Sequence, residues 1–485
     1  MFRSVTIAML LATQLASAQT ASVSDHGSTE RKRAKDWKVP IILAENAIVI
    51  APPLYYYWRT VDDQKEDWEL DWTWGDWKSK LFTTDELVLD TNRFEANGMR
   101  HPLAGALVYQ IGRANGMGVL GSTIMDFANS FVWEYFAEYR EKPSVNDMFA
   151  NTAAGFLIGE PLFQIGNQVN GRSSLFRRGL GLVASPFHRA QKEVGLSPLV
   201  DEPISPNRFE VIAGTNAVRY GDSSDTKGEA RVGLDLEVLR DPEFGLAGDG
   251  ATWTGLAAWN RAAFDLRFGG VANGGDLSGG RFRSTTTYGG RMEKSIGLDG
   301  YGRTTFVGVA TGFEVMQRKL PTMLDRFAVF QLAEPKFGGW WRTPYGDFDV
   351  ELGASGDVAM VQSFARGNMP LMEDSSIVLT RGYYYATGVS THARVRARYG
   401  RWSGELESTA HQFWSFDEHS YRGDMDPKDL ADGRVISSAA IGVRPTASDL
   451  RVELFGNALL RRGTGTDMWR QSKELDAGLA IRAAF

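Results

Sequence analysis

Between Gly118 and Tyr139 most positions are apolar, and the polar exceptions Ser122, Asp126, Ser130, Glu134 and Glu138 recur every fourth residue. On a helix that spacing stacks them into one stripe that drifts slowly around the axis. Leu120, Ile124, Phe127, Phe131, Val132, Trp133 and Phe136 cover the rest of the circumference, so the carboxylates are expected to face protein partners or trapped water. Burying them costs several kcal/mol each unless they are paired or protonated. A second helix is predicted after the breaker Pro143, with Ser144 as N-cap and Asp147 at the third helical position. On it Asp147 and Asn151 share a face, and Gly155 and Gly159 continue that face as a seam that lets another backbone approach closely. The two predict a helical hairpin or three-helix unit with acids and amides at its centre.

From Asn207 onward the period becomes two. Val232, Leu234, Leu236 and Val238 alternate with Arg231, Gly233, Asp235 and Glu237, and Leu450, Val452 and Leu454 alternate with Arg451 and Glu453. Such segments predict strands with one apolar and one charged face. The last strand decides between a soluble sandwich and a membrane barrel. Counting back from Phe485, Ala483, Ile481, Leu479, Ala477 and Leu475 are apolar while Arg482, Gly478 and Asp476 take the other face. A terminal aromatic on an amphipathic strand resembles the C-terminal sorting signal of Gram-negative outer-membrane barrels, which implies the barrel-assembly machinery as a partner through the strand ending at Phe485. About twelve strands are expected. Thirteen centres can be marked, Tyr384 and Val395 among them, whereas such barrels have an even number. Tyr383 to Tyr385, Trp340, Trp341, Trp402 and Trp414 are candidates for aromatic girdles. Arg394, Arg396 and Arg398 face inward opposite Glu405 and Glu407, which predicts a packed or plugged, charge-laced lumen.

The expected fold class is therefore α+β, an N-terminal helical bundle followed by a transmembrane antiparallel β-barrel. Residues 1–18, with Arg3, an apolar core and Ala16-Ser17-Ala18, read as a secretory signal. Residues 19–38 read as a flexible lead-in, 39–170 as the helical domain, 171–206 as a basic connector and 207–485 as the barrel. In residues 39–58, Glu45, Asn46 and the pair Pro52-Pro53 argue against a membrane span and for a short helix lying on the bundle or a membrane surface. Leu89 to Pro102 reads as an ordered loop. The 485 residues contain no Cys, which excludes disulfides and thiolate metal sites, and a net charge of −6 gives no nucleic-acid footprint.

Six short motifs occur in order between Asp90 and Glu160: D-x-N-x-F-x-x-N, H-P-x-x-G from His101, R-x-N-G from Arg113, W-E-Y from Trp133, P-S-x-N-D from Pro143, and G-E at Gly159 and Glu160. This stretch resembles an uncharacterised bacterial envelope family known only as a domain of unknown function. The resemblance implies an outer-membrane setting and no catalytic residue. The D-x-x-x-N-x-x-x-G portion is also similar, over a short length, to a helix of VanZ-like membrane proteins.

Candidate catalytic residues are His101, Glu134, Glu138 and Asp147, and candidate ligand-binding residues are Asn115, Asn151 and Glu160. Paired carboxylates serve as acid and base on a lipid or glycan. No H-x-x-x-H or E-x-x-H spacing supports a metal, and no cofactor is expected. In the barrel, Ser390, His392, Ser408 and His411 stand in no hydrolase motif. Two functions follow. The preferred one is a non-enzymatic outer-membrane barrel whose helical domain plugs the lumen or docks outer-membrane lipid or a periplasmic partner. The alternative is a membrane-tethered enzyme acting on envelope lipid or glycan through the helical carboxylates.

Overall fold

In the computed structural model the described residues are 38–59, 70–71, 73–88, 94–170, 175–196, 207–221, 225–241, 243–270, 275–320, 324–362, 383–416, 430–445, 449–465 and 468–484. The signal segment, the lead-in up to residue 37 and Phe485 lie outside them.

The barrel is built from β1 (Asn207–Tyr220), β2 (Thr226–Leu239), β3 (Gly248–Thr254), β4 (Trp259–Gly269), β5 (Asp276–Ile296), β6 (Gly302–Lys319), β7 (Leu324–Thr343), β8 (Gly346–Gln362), β9 (Tyr384–Tyr399), β10 (Trp402–Ser415), β11 (Ala431–Val443), β12 (Leu450–Gly465) and β13 (Met468–Ala484). Neighbours pair antiparallel, β1 closes on β13, and β5 pairs with β6. β3 and β4 lie end to end along β5, opposite residues 290–296 and 276–286, so the closed barrel has twelve strands. The surplus centre in the sequence reading is the pair Tyr384 and Val395, which share the single long strand β9.

Ion pairs between strands that are not neighbours identify the inner face. Arg261 of β4 reaches Glu407 of β10 at 3.1 Å, Arg318 of β6 reaches Glu474 of β13 at 2.8 Å, and Arg434 of β11 reaches Asp325 of β7 at 2.9 Å. The inward arginines of β9 do stand opposite Glu405 and Glu407 in register, Arg396 to Glu405 and Arg394 to Glu407. Their charge contacts run elsewhere. Arg394 meets Glu351 at 2.5 Å and Glu237 at 3.4 Å, while Glu407 is taken by Arg261 and Arg283. The outward face carries exposed Val307, Leu352, Leu406, Ile441, Leu454 and Leu479, the apolar belt of a barrel in lipid. Trp402 and Trp414, at opposite ends of β10, are exposed as girdle residues would be, but Tyr383, Tyr384 and Tyr385 are buried and belong to no girdle.

The helices are α1 (Val39–Arg59), α2 (Trp74–Phe82), α3 (His101–Ala114), α4 (Val119–Val132), α5 (Val145–Ala154), α6 (Glu160–Asn170), α7 (Leu175–Ala184) and α8 (Pro186–Glu193). π-helical turns at Ala96–Arg100, Trp133–Ala137 and Gly155–Gly159 extend α3, extend α4 and join α5 to α6. Three expectations are corrected here. α1 is not short: it runs through Pro52 and Pro53 for 21 residues, and by length and composition alone it is apolar enough to cross a membrane. A helical turn occupies part of the expected Leu89–Pro102 loop, and the expected connector contains α7 and α8, whose Leu180, Ala184 and His188 are buried. The exposed helix α2 starts on a capping box, in which the backbone N–H and hydroxyl of Thr73 hold the Asp76 carboxyl below its ordinary range.

The helical domain touches the barrel on its outer wall. α6 packs on β2, β4 and β5, the π turn before it on β5 and β6, and the π turn before α3 on β7. The barrel residues in this shared core, among them Leu236, Ala262, Phe313, Ala328 and Phe330, alternate along their strands with the ion-paired lumen residues. These contacts fall on the outward strand positions, while the inward positions carry the ion pairs that cross the lumen.

Candidate functional site

The α4 stripe folds as its spacing requires. Ser122, Asp126, Ser130 and Glu134 are buried, while Leu120, Ile124, Phe127, Phe131, Val132 and Phe136 are exposed. A soluble helix would show the reverse. Ser144 caps α5 by accepting the Asp147 N–H at 3.2 Å. Ser144 also donates its own N–H to the Glu134 carboxylate at 2.8 Å, so one residue ties the π turn after α4 to the start of α5.

The polar residues form a column along the bundle. At one end Asn146 donates to the Tyr385 hydroxyl at 2.9 Å, and Asn97 donates to those of Tyr383 and Tyr385 at 3.0 and 3.3 Å. Glu134 and Asp147 come next, then Asn151, which donates to Ser130 at 3.1 Å. Asp126 follows, pressed against Gly155, where a β-carbon would lie 2.0 Å from its Oδ2. Glu160 accepts from Tyr109 at 2.8 Å, from Arg113 at 2.8 and 3.2 Å and from Gln164 at 2.5 Å. At the far end Glu45 accepts from Asn115 at 2.6 Å and Gln191 at 3.0 Å. The column has the direction of the wall beside it: Asn146 lies against the start of β9, Leu157 accepts from Ser284 in mid-β5, and α6 shares its core with Phe209 at the start of β1.

The expected site residues are thus dispersed. Ser144 bonds the Glu134 carboxylate and the backbone N–H of Asp147. Asn151 sits mid-column, Asn115 and Glu160 lie in separate clusters towards the far end, Glu138 accepts from the Trp133 indole at 2.8 Å, and His101 stands half-buried at the first residue of α3. Asp126, visible in the stripe but not chosen as a site residue, is the distinctive member: it is 1% exposed, and its Oδ2 has no hydrogen-bond partner among the described residues. The signal that could have selected it is Gly155, which clears space for a carboxyl. Asp126→Asn keeps the shape and removes an uncompensated acid. It is expected to hold or raise thermal stability, whereas Asp126→Lys is expected to prevent assembly of the helical domain, both read by helix content on heating.

In the lumen, the Ser390 hydroxyl and His411 Nδ1 are 2.6 Å apart, and Ser390 also bonds Asp357. Ser390 is 2% and His411 3% exposed, with His411 stacked on Phe413, so the pair belongs to the packed interior.

Residues 86–187 match a family described as a domain of unknown function (DUF3943). The matched segment includes α3 to α7, the polar column except Glu45, Gln191 and the barrel tyrosines Tyr383 and Tyr385, and all six motifs from Asp90 to Glu160. No curated protein matches the chain in sequence. Among solved structures, the translocator domain of the autotransporter NalP from Neisseria meningitidis is 12% identical, covers 63% of this chain and 98% of its own, with a TM-score of 0.19. An outer-membrane channel from Pseudomonas putida F1 is 14% identical over 58% of this chain and 96% of its own, TM-score 0.25. An anion-selective porin from Comamonas acidovorans is 10% identical over 58% and 99%, TM-score 0.21. The barrel itself rests on its own strand pairing and apolar belt, not on these scores.

Proposed function

We propose that this protein is a non-conducting outer-membrane barrel that holds its DUF3943 segment in lipid against the outer wall, where the segment binds envelope lipid. The observation that carries the reading is the polarity of the helical domain, polar within and apolar without, continuous with the apolar belt of the barrel it packs on. Helix lengths agree with it. α1 has 21 residues, α4 with its π turn runs from Val119 to Ala137, and α5 to α6 run unbroken from Val145 to Asn170. A hydrocarbon core of about 30 Å takes roughly 20 helical residues. Tyr55, Tyr56 and Trp58 are exposed at one end of α1, where amphipathic rings suit the headgroup level. Proline inside a helix is tolerated in such surroundings, which accounts for α1 continuing through Pro52 and Pro53.

The absence of cysteine makes the test direct. Spin labels on Ile124→Cys, Phe131→Cys and Leu43→Cys in liposomes are expected to be reached by oxygen in preference to a water-soluble nickel complex. A label on Lys227→Cys, at a barrel rim, should show the opposite. Preference for nickel at the three helical sites would overturn the reading. In planar bilayers the intact protein is expected to show no ohmic steps, because cross-lumen ion pairs occupy the interior.

A further inference from the structure

The mouth of the barrel that carries both ends of the β-sheet sequence, Asn207 and Ala484, opens into a vestibule of about 360 Å³. It is lined by eight arginines and five carboxylates, a surplus of three positive charges, with Trp340, Trp341 and Phe244 on one wall. Five of the arginines are neutralised. Arg208, Arg451 and Arg482 converge on Glu210 at 3.3, 3.1 and 2.9 Å, Arg396 meets Glu237 and Asp349 at 3.3 Å each, and Arg342 meets Asp347 at 3.5 Å. The surplus falls on Arg303 of β6, Arg398 of β9 and Arg444 just beyond β11, whose guanidiniums have no hydrogen bond or ion pair among the described residues. Below them Arg394 joins Glu237 and Glu351 within the lumen.

From this arrangement we infer that the vestibule is a binding site for a multivalent phosphoryl anion, such as a diphosphate or a phosphorylated headgroup. Three guanidiniums without a hydrogen bond or ion pair among the described residues, from separate parts of the wall, line one small cavity, and each offers a planar fork of donors that matches phosphate oxygens two at a time. A single carboxylate would engage only one of them. The pocket is too small for a folded partner. The flanking aromatic wall gives an apolar moiety a surface to lie on.

The test uses the full chain in nanodiscs of zwitterionic lipid, titrated calorimetrically with inorganic pyrophosphate. Saturable binding near one site per chain is expected, weakening as salt is raised. The combined variant Arg303→Ala, Arg398→Ala, Arg444→Ala should lose at least about tenfold in affinity. These side chains hold no fold contact, so the variant is expected to keep the parent's unfolding midpoint. Lys227→Ala, at the opposite mouth, removes one charge elsewhere and should bind as the parent does. Repeating the titration with phosphatidylglycerol in the nanodisc separates the sources: displacement of pyrophosphate identifies a lipid headgroup as ligand, and undiminished binding identifies a soluble phosphoryl compound. Unsaturable binding, equal binding by the triple variant, or citrate outcompeting pyrophosphate would overturn the inference.

Discussion

Replacing Arg394 by alanine is expected to destabilise the barrel by about 3–5 kcal/mol, the cost of stripping a buried charge network of one member. Arg394 is 1% exposed and lies within reach of three carboxylates, Glu351 at 2.5 Å, Glu237 at 3.4 Å and Asp235 at 3.8 Å. Lys336 and His392 still serve Glu351, Arg396 and Trp259 still meet Glu237, and Arg208 and Arg261 still meet Asp235, but the one guanidinium that joins all three buried carboxylates is lost. The comparison lies on the same face of the same strand. Arg398, four residues on, is exposed at the rim without an ion pair, and Arg398→Ala should change the urea midpoint by less than about 0.5 kcal/mol equivalent. A small effect for both would mean that water reaches Arg394 and that the lumen is wet, which would reopen the question of conduction. Arg394→Met should not recover the loss, because the deficit is charge and not volume.

An ionic interior is not the cheapest way to fill a barrel, since matched apolar side chains often stabilise as well or better. In lipid it has another use. With an apolar exterior fixed by the solvent, an apolar lumen would make the two faces of each strand equivalent, and a one-residue slip would carry no penalty. Charges on alternate residues make every slip place ions in lipid. The ionic lumen is thus what the alternation in the sequence encodes, and it is why the barrel, its inward arginines and the twelve-strand count within one were legible there. The same reasoning explains what was not legible. Leu236, Ala262 and Phe330 meet helices while Leu406 and Ile441 stay exposed, yet all five read alike, because the outer wall presents apolar groups to either partner. Docking on that wall leaves no mark that lipid would not leave. In the helical domain, the stripe from Ser122 to Glu138 and the cap at Ser144 were readable because they are local. The dispersal of the candidate acids along a column was not, since it depends on how three helices are staggered.

That stagger turns on Gly105, and Gly105→Ala is expected to cost about 1–3 kcal/mol or more, the range for forcing atoms into a packed contact. A β-carbon there would stand 2.1 Å from the Asn151 carbonyl oxygen and 2.9 Å from its Cα, so the obstacle is backbone and cannot rotate away. α3 and α5 would have to separate. Asn151 would then leave Ser130, and the strain would reach Asn146, which holds Tyr385 on the barrel wall. Gly179 is the control: it lies exposed in α7 with nothing within 4 Å of an added β-carbon, and Gly179→Ala should stabilise by about 0.5–1 kcal/mol through helix propensity alone. Thermal melts followed by helix content distinguish the two. If Gly105→Ala melted with Gly179→Ala, the close approach of α3 to α5 would not be what aligns the column, and the lipid-embedded arrangement built on it would need a different support.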